Sequence, residues 1–255
     1  MKASLTVLGS GTSMGVPTIG CSCAVCNSSD PRDRRTRPSV LIQYASRSVL
    51  IDTTPDFREQ AIRAQITQLD AVLYTHAHAD HILGLDETRR YNALLGGAIP
   101  CYADGLTLAD IRRAFAYVFD PATPRGGGLP QLELIEIADG VSVNGHEVKA
   151  VPLFHGDRQI LGFRFGSFAY LTDCNRIPDQ SWRLLHNLDV VVLDALRERP
   201  HPTHFSLSEA VEAARRIAAQ RTFFTHMTHD LGHAVTNERL PDGMALAHDG
   251  LELVL

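Results

Sequence analysis

A histidine-rich motif supplies the densest group of potential metal ligands in the sequence. The segment THAHADH places His76, His78, Asp80 and His81 within six residues. It follows the apolar segment DAVLY, which is typical of a buried strand. Imidazole nitrogens and carboxylate oxygens are ligands for zinc and similar divalent ions, and a loop at a strand end can spread them around a site. The motif has enough donors to serve two metal ions.

Three further residues of the same chemical types follow predicted strands later in the chain. His155 lies in VPLFHGD, Asp173 in YLTDCN and His226 in FFTHMTH. Each of them alone is weak support for a metal site, because a lone histidine is more often a hydrogen-bonded core or surface residue. Together with the histidine-rich motif, they complete a ligand set for a dinuclear metal centre.

A second group of potential ligands lies in the segment GCSCAVCNSSD. It contains Cys21, Cys23 and Cys26, which are three of the five cysteines in the chain. A structural zinc site needs four protein ligands in a closed tetrahedron, so a fourth ligand must come from elsewhere in the chain. We expect the remaining cysteines, Cys101 and Cys174, to be small buried residues.

The composition is that of an ordinary globular protein. The chain has 255 residues, of which 44% are hydrophobic and 21% charged, and its formal net charge is -5 at pH 7. This charge gives no general attraction to nucleic acids or anionic membranes. The segment MKASLTVLGSG lacks the apolar region of a secretory signal, and no apolar run reaches the roughly 18 residues of a membrane span. We therefore expect a cytoplasmic protein, in which clustered cysteines favour metal binding over disulfides.

Short β-branched segments alternate with amphipathic segments and must position these ligands. Strands are predicted for SLTVLG, SVLIQY, SVLIDT, AVLYTH, LELIEI, HEVKAVPL, LGFRFG, FAYLTD, DVVVLDA and TFFTH. Helices are predicted over 56–66, 85–95, 105–118 and 206–219. The last helix has Ser206 as its predicted N-cap and Glu209 as the capping-box partner. Two strand-rich halves, each followed by helices, predict an α/β fold with two sheets packed face to face and helices outside.

The H-x-H-x-D-H signature and its downstream His, Asp and His resemble the metallo-β-lactamase fold superfamily over nearly the whole chain. The resemblance implies an αββα four-layer sandwich with metals in a cleft at one sheet edge. It implies a first metal held by His76, His78 and His155, a second metal held by Asp80, His81 and His226, and Asp173 as the bridge. Asp52 in LIDTTPDFR matches an acidic position after an early strand, which implies that it orients a ligand histidine.

A narrower resemblance adds an activity. The segments GSGTSMGVPTIGCSCAVC, RRTRPSVLI, IDTTPDFR, GLDETRRYN and THMTHDLGH resemble the cyclic-phosphate phosphodiesterases of the carbon–phosphorus lyase (phosphonate) pathway, which are related to tRNA 3′-processing nucleases. The resemblance implies a phosphodiesterase in which a hydroxide on two metals attacks a cyclic ribose phosphate or another small phosphodiester. Asp80 belongs to this catalytic centre, and His204 matches a histidine near the scissile phosphate that would assist the leaving group. The ligand types admit manganese, zinc or iron.

Members of this branch also carry a structural zinc on a C-x-C-x-x-C loop, which corresponds to a loop at residues 18–38 in this chain. The resemblance gives His226 to the catalytic centre, which leaves His229 in the same tail as a spare histidine. We therefore predict that His229 completes the three cysteines as a closed Cys₃His zinc site. Asp230 and His233 are the competing fourth ligands.

The resemblance implies one metallo-β-lactamase fold domain over residues 1–255, with a small phosphodiester as the substrate. We expect no membrane partner, and the charge does not favour a nucleic-acid partner. The sequence leaves open whether the protein forms a homodimer. It also stays open whether Arg35, Arg37 or Arg89 contacts the substrate. The alternative functions are a tRNA 3′-processing-like nuclease, another metallo-hydrolase acting on thioesters or lactones, and a non-catalytic binding module of the same fold.

Overall fold

The computed structural model describes residues 3–124, 126, 128–143 and 145–254, so the predicted domain ends at residues 1 and 255 lie outside the described residues. The strands are β1 (Ala3–Gly9), β2 (Ser39–Tyr44), β3 (Arg47–Ile51), β4 (Ala71–Leu73), β5 (Ile99–Ala103), β6 (Leu132–Glu136), β7 (Gly140–Val143), β8 (His146–His155), β9 (Arg158–Phe165), β10 (Phe168–Leu171), β11 (Val190–Asp194), β12 (Arg221–Thr225), β13 (Met244–Leu246) and β14 (Leu251–Val254).

Helices connect and cover these strands. The α-helices are α1 (Phe57–Arg63), α2 (Ala79–Ile82), α3 (Arg89–Leu95), α4 (Gly105–Ala114), α5 (Ala116–Phe119), α6 (Asp179–Trp182), α7 (Leu207–Ile217) and α8 (His233–Asn237). Short 3₁₀ helices cover Pro31–Asp33, Leu85–Thr88 and Arg183–Leu185. Each helix in the described part of the chain is too short or too polar to span a lipid bilayer.

Within the described residues, the strands form two seven-stranded sheets. The first sheet has the order β14-β1-β2-β3-β4-β5-β6, and the second has the order β13-β12-β11-β10-β9-β8-β7. In the first sheet, β1 to β3 pair antiparallel and β3 to β6 pair parallel. In the second sheet, β7 to β10 pair antiparallel and β10 to β13 pair parallel. Both sheets therefore have a parallel half, in which successive strands end at the same edge.

Three buried hydrophobic layers hold the molecule together. Val49 and Ile51 of β3 pack with Phe163 of β9 and Val192 of β11 in one cluster, so the two sheets lie face to face. Because side chains alternate along a strand, Leu50 of β3 points to the other face, where α1, α3 and α4 pack. A third cluster packs α7 against the outer face of the second sheet. The predicted αββα sandwich is confirmed.

Most predicted elements are present, with some corrected bounds. The capped helix is confirmed, because Ser206 and Glu209 form the reciprocal capping box at the start of α7. The predicted strand AVLYTH ends early, at Leu73, and just beyond it the N–H of Thr75 donates to the Asp52 carboxylate instead of to a neighbouring strand. Strands β5, β7, β13 and β14 were not predicted; they have three to five residues each, too few for a clear alternation pattern.

The other predicted helices are shorter than expected or divided. The helix predicted over 56–66 covers only Phe57–Arg63. The segment 85–95 divides into the 3₁₀ helix Leu85–Thr88 and α3, and the segment 105–118 divides into α4 and α5 at Phe115. Phe115 has φ -114° and ψ 41°, which is outside the helical region and interrupts the helix there.

Candidate functional site

The candidate site lies at the edge where the parallel strands of both sheets end. In the first sheet, Asp52 follows β3 and His76 lies three residues beyond the end of β4. In the second sheet, Asp173 follows β10, Asp194 is the last residue of β11, and His226 follows β12. Residues far apart in the sequence meet here because the carboxyl ends of parallel strands share one edge.

The Asp173 carboxylate lies at the centre of the cluster. Its Oδ2 is 3.6 Å from Nε2 of His76, whereas its Oδ1 is 3.3 Å from Nε2 of His81 and 3.0 Å from Nε2 of His226. Asp80 Oδ2 lies 3.4 Å from Nε2 of both His81 and His226. The two oxygens of Asp173 therefore face two different groups of donors, which is the arrangement that a bridging carboxylate requires.

His78 and His155 lie on the solvent side of His76. Their ring centroids are 4.9 Å apart and lie 4.5 and 5.6 Å from that of His76. Nδ1 of His155 donates to the carbonyl oxygen of Asp173 at 2.8 Å, so the neutral ring keeps a lone pair on Nε2. His78 is exposed, so the cluster can be reached from solvent on this side.

The protonation of His81 tests whether this cluster suits a metal. Its Nδ1 lies 2.7 Å from the Asp52 carboxylate, which only accepts, so Nδ1 carries the proton. In the neutral ring Nε2 then presents a lone pair to the Asp80 and Asp173 carboxylates. Nε2 of His81 and Nε2 of His76 are buried without a hydrogen-bond partner. A divalent cation between these acceptors removes the conflict, so the residues fit a metal centre.

Charges within the cluster favour a cation as well. Burial would lower the pKa of His81, but the Asp173, Asp80 and Asp52 carboxylates raise it well above its ordinary value. Burial would raise the pKa of Asp173, but His226 and His81 hold it well below its usual range. Burial lowers the pKa of His76, which is then neutral and able to act as a ligand. The carboxylates thus favour positive charge in the cluster, which a proton on His81 or a divalent cation can supply, while His76 offers a neutral imidazole.

Three residues of the site have backbone conformations that are rare outside glycine. The φ angles are +65° for Asp52, +54° for Asp173 and +61° for His226. Such left-handed conformations typically cost on the order of 1–3 kcal/mol each and persist only where the surroundings enforce them. Their concentration at one edge indicates that the fold holds these side chains in place for a function.

Asp194 is a residue of this site that the sequence did not single out. Its Oδ1 lies 3.4 Å from Nδ1 of His204, and its two oxygens accept the N–H groups of Asp173 and Phe205 at 3.2 and 3.1 Å. Burial raises the pKa of Asp194 well above its ordinary value. The signal was present in the sequence, because Asp52, Asp173 and Asp194 all lie at the end of an apolar strand or within two residues after it.

His204 lies beside the cluster and is oriented by Asp194. Its ring stacks on that of His226 with centroids 4.8 Å apart and lies 4.7 Å from the ring of His155. Because Nδ1 faces Asp194, Nε2 is the nitrogen left to interact with a substrate. Burial lowers the pKa of His204. The structure therefore places His204 next to the residues predicted to bind metal.

The three cysteines of the N-terminal loop surround one histidine of the C-terminal tail. Nδ1 of His229 lies 3.2, 3.5 and 3.3 Å from the Sγ atoms of Cys21, Cys23 and Cys26. The four donor atoms all lie within 4.8 Å of one another, which fits a tetrahedral ion such as zinc. The N–H of Cys26 lowers the pKa of Cys23 to about 7, whereas burial raises that of Cys26.

The two competing fourth ligands lie elsewhere. Asp230 is on the opposite side of the histidine, with its carboxylate 3.9 Å from Nε2 of His229. The backbone N–H of His233 donates to Asp33, and its ring lies 5.7 Å from that of His248. The other two cysteines are buried, as predicted: Cys101 and Cys174 are both fully inaccessible to solvent.

The three arginines that could contact a substrate, according to the sequence, pair with other residues of this chain. Arg35 is buried and donates to the carbonyl oxygen of Thr228 and to Asp33, so it does not face a substrate. Arg37 pairs with Asp56 at 2.8 Å. Arg89 pairs with Asp86 on the adjacent turn.

Curated relatives match parts of longer proteins. An octanoyltransferase of Porphyromonas gingivalis (strain ATCC BAA-308 / W83) is 37% identical over 256 residues, covering 98% of this chain and 51% of that protein. A ribonuclease Z of Bradyrhizobium diazoefficiens is 27% identical over 148 residues, covering 55% of this chain and 48% of that protein. The chain thus spans about half the length of the curated relatives it matches.

Solved structures match over the whole chain. A crystal structure described as a new diphosphatase from the PhnP family is 52% identical, covers 100% of this chain and 98% of its own, and has a TM-score of 0.94. Zn²⁺-bound PqqB from Methylobacterium extorquens is 20% identical, covers 99% of this chain and 100% of its own, and has a TM-score of 0.79. The short form of human tRNase Z is 18% identical with 98% coverage of both chains and a TM-score of 0.70. The last two likenesses show the fold alone.

The family match agrees with the fold and the donor set. Residues 47–227 match the β-lactamase superfamily domain, a span that includes every residue of the His and Asp cluster. The metallo-β-lactamase fold implies divalent metals, and the His and Asp cluster offers donor atoms that fit them. The chain therefore belongs to the β-lactamase superfamily and has the metallo-β-lactamase fold related to the PhnP family.

Proposed function

We propose that this protein hydrolyses small phosphodiesters, and that a cyclic ribose phosphate is its preferred substrate class. The observation that carries the proposal is the placement of His204, held by Asp194, beside the cation-binding cluster. An anionic diester needs positive charge at its phosphoryl oxygens, and its alkoxide leaving group needs a proton. In this proposal, bound metal ions would supply the positive charge and His204 the proton, within one cleft. A thiolate leaving group, by contrast, would have little use for a proton donor.

The proposed metal centre is dinuclear. One ion would be held by His76, His78, His155 and Asp173, and the other by Asp80, His81, His226 and Asp173. When bound, two divalent ions activate water at neutral pH and neutralise charge on the phosphodiester. The oxygen and nitrogen donors suit manganese, zinc or iron, and we propose manganese or zinc first.

The protein's own residues have separate tasks in this proposal. Asp52 holds the Nδ1 proton of His81, which keeps Nε2 free to bind an ion. The carbonyl oxygen of Asp173 does the same for His155. In this proposal a protonated Asp194, in keeping with its raised pKa, donates to Nδ1 of His204, so the neutral ring carries its proton on Nε2 and would give it to the departing oxygen.

The comparisons support phosphate chemistry. The relative with 52% identity is described as a diphosphatase, and the curated relative with 27% identity as a ribonuclease. Both names denote enzymes that act on phosphate esters or anhydrides. The octanoyltransferase is about twice as long as the matched region, so its name gives no activity to this chain.

We propose further that the Cys₃His group binds a structural zinc and that residues 1–255 form one domain. A free thiol cluster supports a reducing, cytoplasmic location. The proposed partner is a small phosphodiester rather than a membrane or a nucleic acid, in keeping with the net charge of -5.

A substrate panel tests the proposal. The metal-loaded protein is assayed with a nucleoside 2′,3′-cyclic phosphate, an aryl phosphodiester, an aryl phosphomonoester, octanoyl thioester, a lactone and a tRNA precursor with a 3′ trailer. Asp80→Ala serves as the control for contaminating hydrolases. We expect the small diesters to have the highest kcat/KM. Faster turnover of the thioester or lactone overturns the proposal, and faster trailer removal favours the nuclease alternative.

A further inference from the structure

Two candidate ligands of different sites lie three residues apart in the segment 226–231. The Nε2 atom of His226 faces the Asp173 carboxylate at 3.0 Å. The Nδ1 atom of His229 faces the cysteines, with Cys21 Sγ at 3.2 Å. A rotation of this short segment would move both imidazoles together. Whatever fixes its backbone therefore sets the geometry of both sites.

Backbone contacts hold the first half of the segment. His226 has the left-handed φ of +61°, which an ordinary residue adopts only under constraint. Directly after it, the N–H of Met227 donates to the Ser10 carbonyl and the Met227 carbonyl accepts from Thr12. The N–H of Thr228 donates to the carbonyl of Leu196.

A single buried arginine holds the second half. The side chain of Arg35 has no exposed surface. Its Nη1 donates to the carbonyl of Thr228 at 2.9 Å, and its Nη2 donates to the carbonyl of Leu231. These two carbonyls lie on either side of His229. The rigid planar fork of a guanidinium can fix two acceptors at once, which a lysine ammonium does less well.

The backbone of Arg35 also connects to the cysteine loop. Arg35 and Val16 exchange both backbone hydrogen bonds, at 2.8 and 2.9 Å. Two residues further on, the N–H of Thr18 donates to Sγ of Cys26 at 3.3 Å. Arg35 therefore joins the loop that carries the thiols to the tail that carries both histidines.

We propose that Arg35 is a positioning residue for the catalytic centre, acting on His226 through the backbone of residues 228–231. The inference rests on the proposed metal centre but not on its substrate. Burying a guanidinium is expensive unless its hydrogen bonds are satisfied, and among the described residues a single carboxylate, that of Asp33 at 3.2 Å, pairs with it. Its two terminal nitrogens also donate to main-chain carbonyl oxygens on either side of His229.

Metal titration of Arg35→Lys tests this role. Both the wild type and the variant are stripped of metal and titrated with cobalt. Thiolate-to-cobalt charge transfer reports the Cys₃His group. The d–d bands of that group, recorded separately on Asp80→Ala, are subtracted to leave the d–d bands of the His and Asp centre. We expect Arg35→Lys to weaken cobalt binding at the His and Asp centre by about 10–100-fold, the usual effect of losing a residue that orients a ligand. The hydrolysis rate should recover in part at high metal concentration.

Two controls separate positioning from general stability. Arg63→Lys alters another arginine that donates to a backbone carbonyl, that of Leu8, outside the 226–231 segment. Ile217→Val removes one methylene from the core on α7 and lowers the melting temperature without touching either site. If Arg35→Lys does not fold, Asp33→Asn weakens the support of the same guanidinium and should change cobalt affinity in the same direction.

The outcomes are distinct. Normal cobalt affinity in Arg35→Lys, with a melting temperature lowered as in Ile217→Val, would overturn the proposal and leave Arg35 a structural residue. A wild type that binds no cobalt at the His and Asp centre overturns both this inference and the proposed function. Normal cobalt binding without diester hydrolysis overturns the proposed substrate class alone.

Discussion

The two candidate metal sites of this protein are built in opposite ways. The His and Asp centre draws its donors from four separate segments, which lie at or after the ends of strands in both sheets. The thiol site takes three donors from one six-residue loop and only His229 from another part of the chain. A site assembled from many strand ends needs the whole fold, whereas a loop site needs one long-range contact.

The sites also differ in strain and exposure. Asp52, Asp173 and His226 are buried and have positive φ angles, whereas Cys21, Cys23 and His229 are partly exposed and absent from the positive-φ residues. Strained conformations are typical of functional sites, where preorganisation is needed. A closed four-ligand site needs no such strain, because the metal itself draws the ligands together. The comparison predicts different consequences for damage to each site.

The largest effect is expected from the carboxylate shared by His81 and His226. Asp80→Ala should reduce diester hydrolysis by about 10³-fold or more, since loss of metal charge removes several kcal/mol of stabilisation. Metal analysis should show that the thiol-bound zinc stays. Activity near that of the wild type, or loss of the zinc as well, would contradict the distinction between the sites.

Removal of His204 should damage catalysis without removing metal. His204→Ala is expected to lower kcat by roughly 10²–10⁴-fold, because a general acid is lost. The loss should be smaller for aryl diesters, whose leaving groups need less help, than for alkyl diesters. Equal losses for both kinds of diester would assign His204 to substrate positioning.

An intermediate effect is expected from Asp52, which would orient a metal ligand without binding the metal itself. Asp52→Asn retains the shape but weakens the hydrogen bond that orients His81, so metal affinity should fall by about 10–100-fold. Isothermal titration with manganese measures this affinity. Asp179→Asn, at an exposed aspartate on α6, is the matched control and should bind manganese normally. Unchanged affinity in Asp52→Asn would show that the hydrogen bond is dispensable.

Damage to the thiol site should affect stability more than chemistry. Cys23→Ala and His229→Ala should each lose one zinc per chain and melt more than about 5 °C lower, because binding energy of the metal contributes to folding. Hydrolysis well below the melting temperature should keep most of its rate, because Arg35 still holds the tail. Cys101→Ala, which removes a buried thiol outside the site, should keep its zinc. Full zinc retention in His229→Ala would rule out that ligand.

The smallest effect concerns His233, beside Arg35 and Asp33. Burial, with the charges of Arg32 and Arg35, lowers the pKa of His233 to about 4. The unfolded chain, with a histidine pKa of about 6.5, therefore takes up a proton first as pH falls, so stability is lost between about pH 6.5 and 4. His233→Gln should lose less stability over this range in urea denaturation, whereas His186→Gln at an exposed position should follow the wild type. Parallel curves for wild type and His233→Gln would exclude this contribution.

The sequence was sufficient for the fold class and for most potential ligands. A motif such as THAHADH is local, so residue types and spacing already reveal its chemistry. The alternation of apolar residues likewise predicted the longer strands and the capped helix α7. Short strands such as β5 and β13 were missed, because they pair only with distant partners and carry almost no local signal.

Only the tertiary structure decided which residues contact and orient one another across the chain. The placement of His229, rather than Asp230 or His233, among the cysteines depends on a contact more than 200 residues apart in the sequence. Asp194 and His204 are only 10 residues apart and Arg35 and Thr228 are 193 apart, yet neither residue type nor spacing indicates that these residues contact each other. Side-chain chemistry is a property of the residue, but burial, orientation and hydrogen-bond partners are properties of the packed fold.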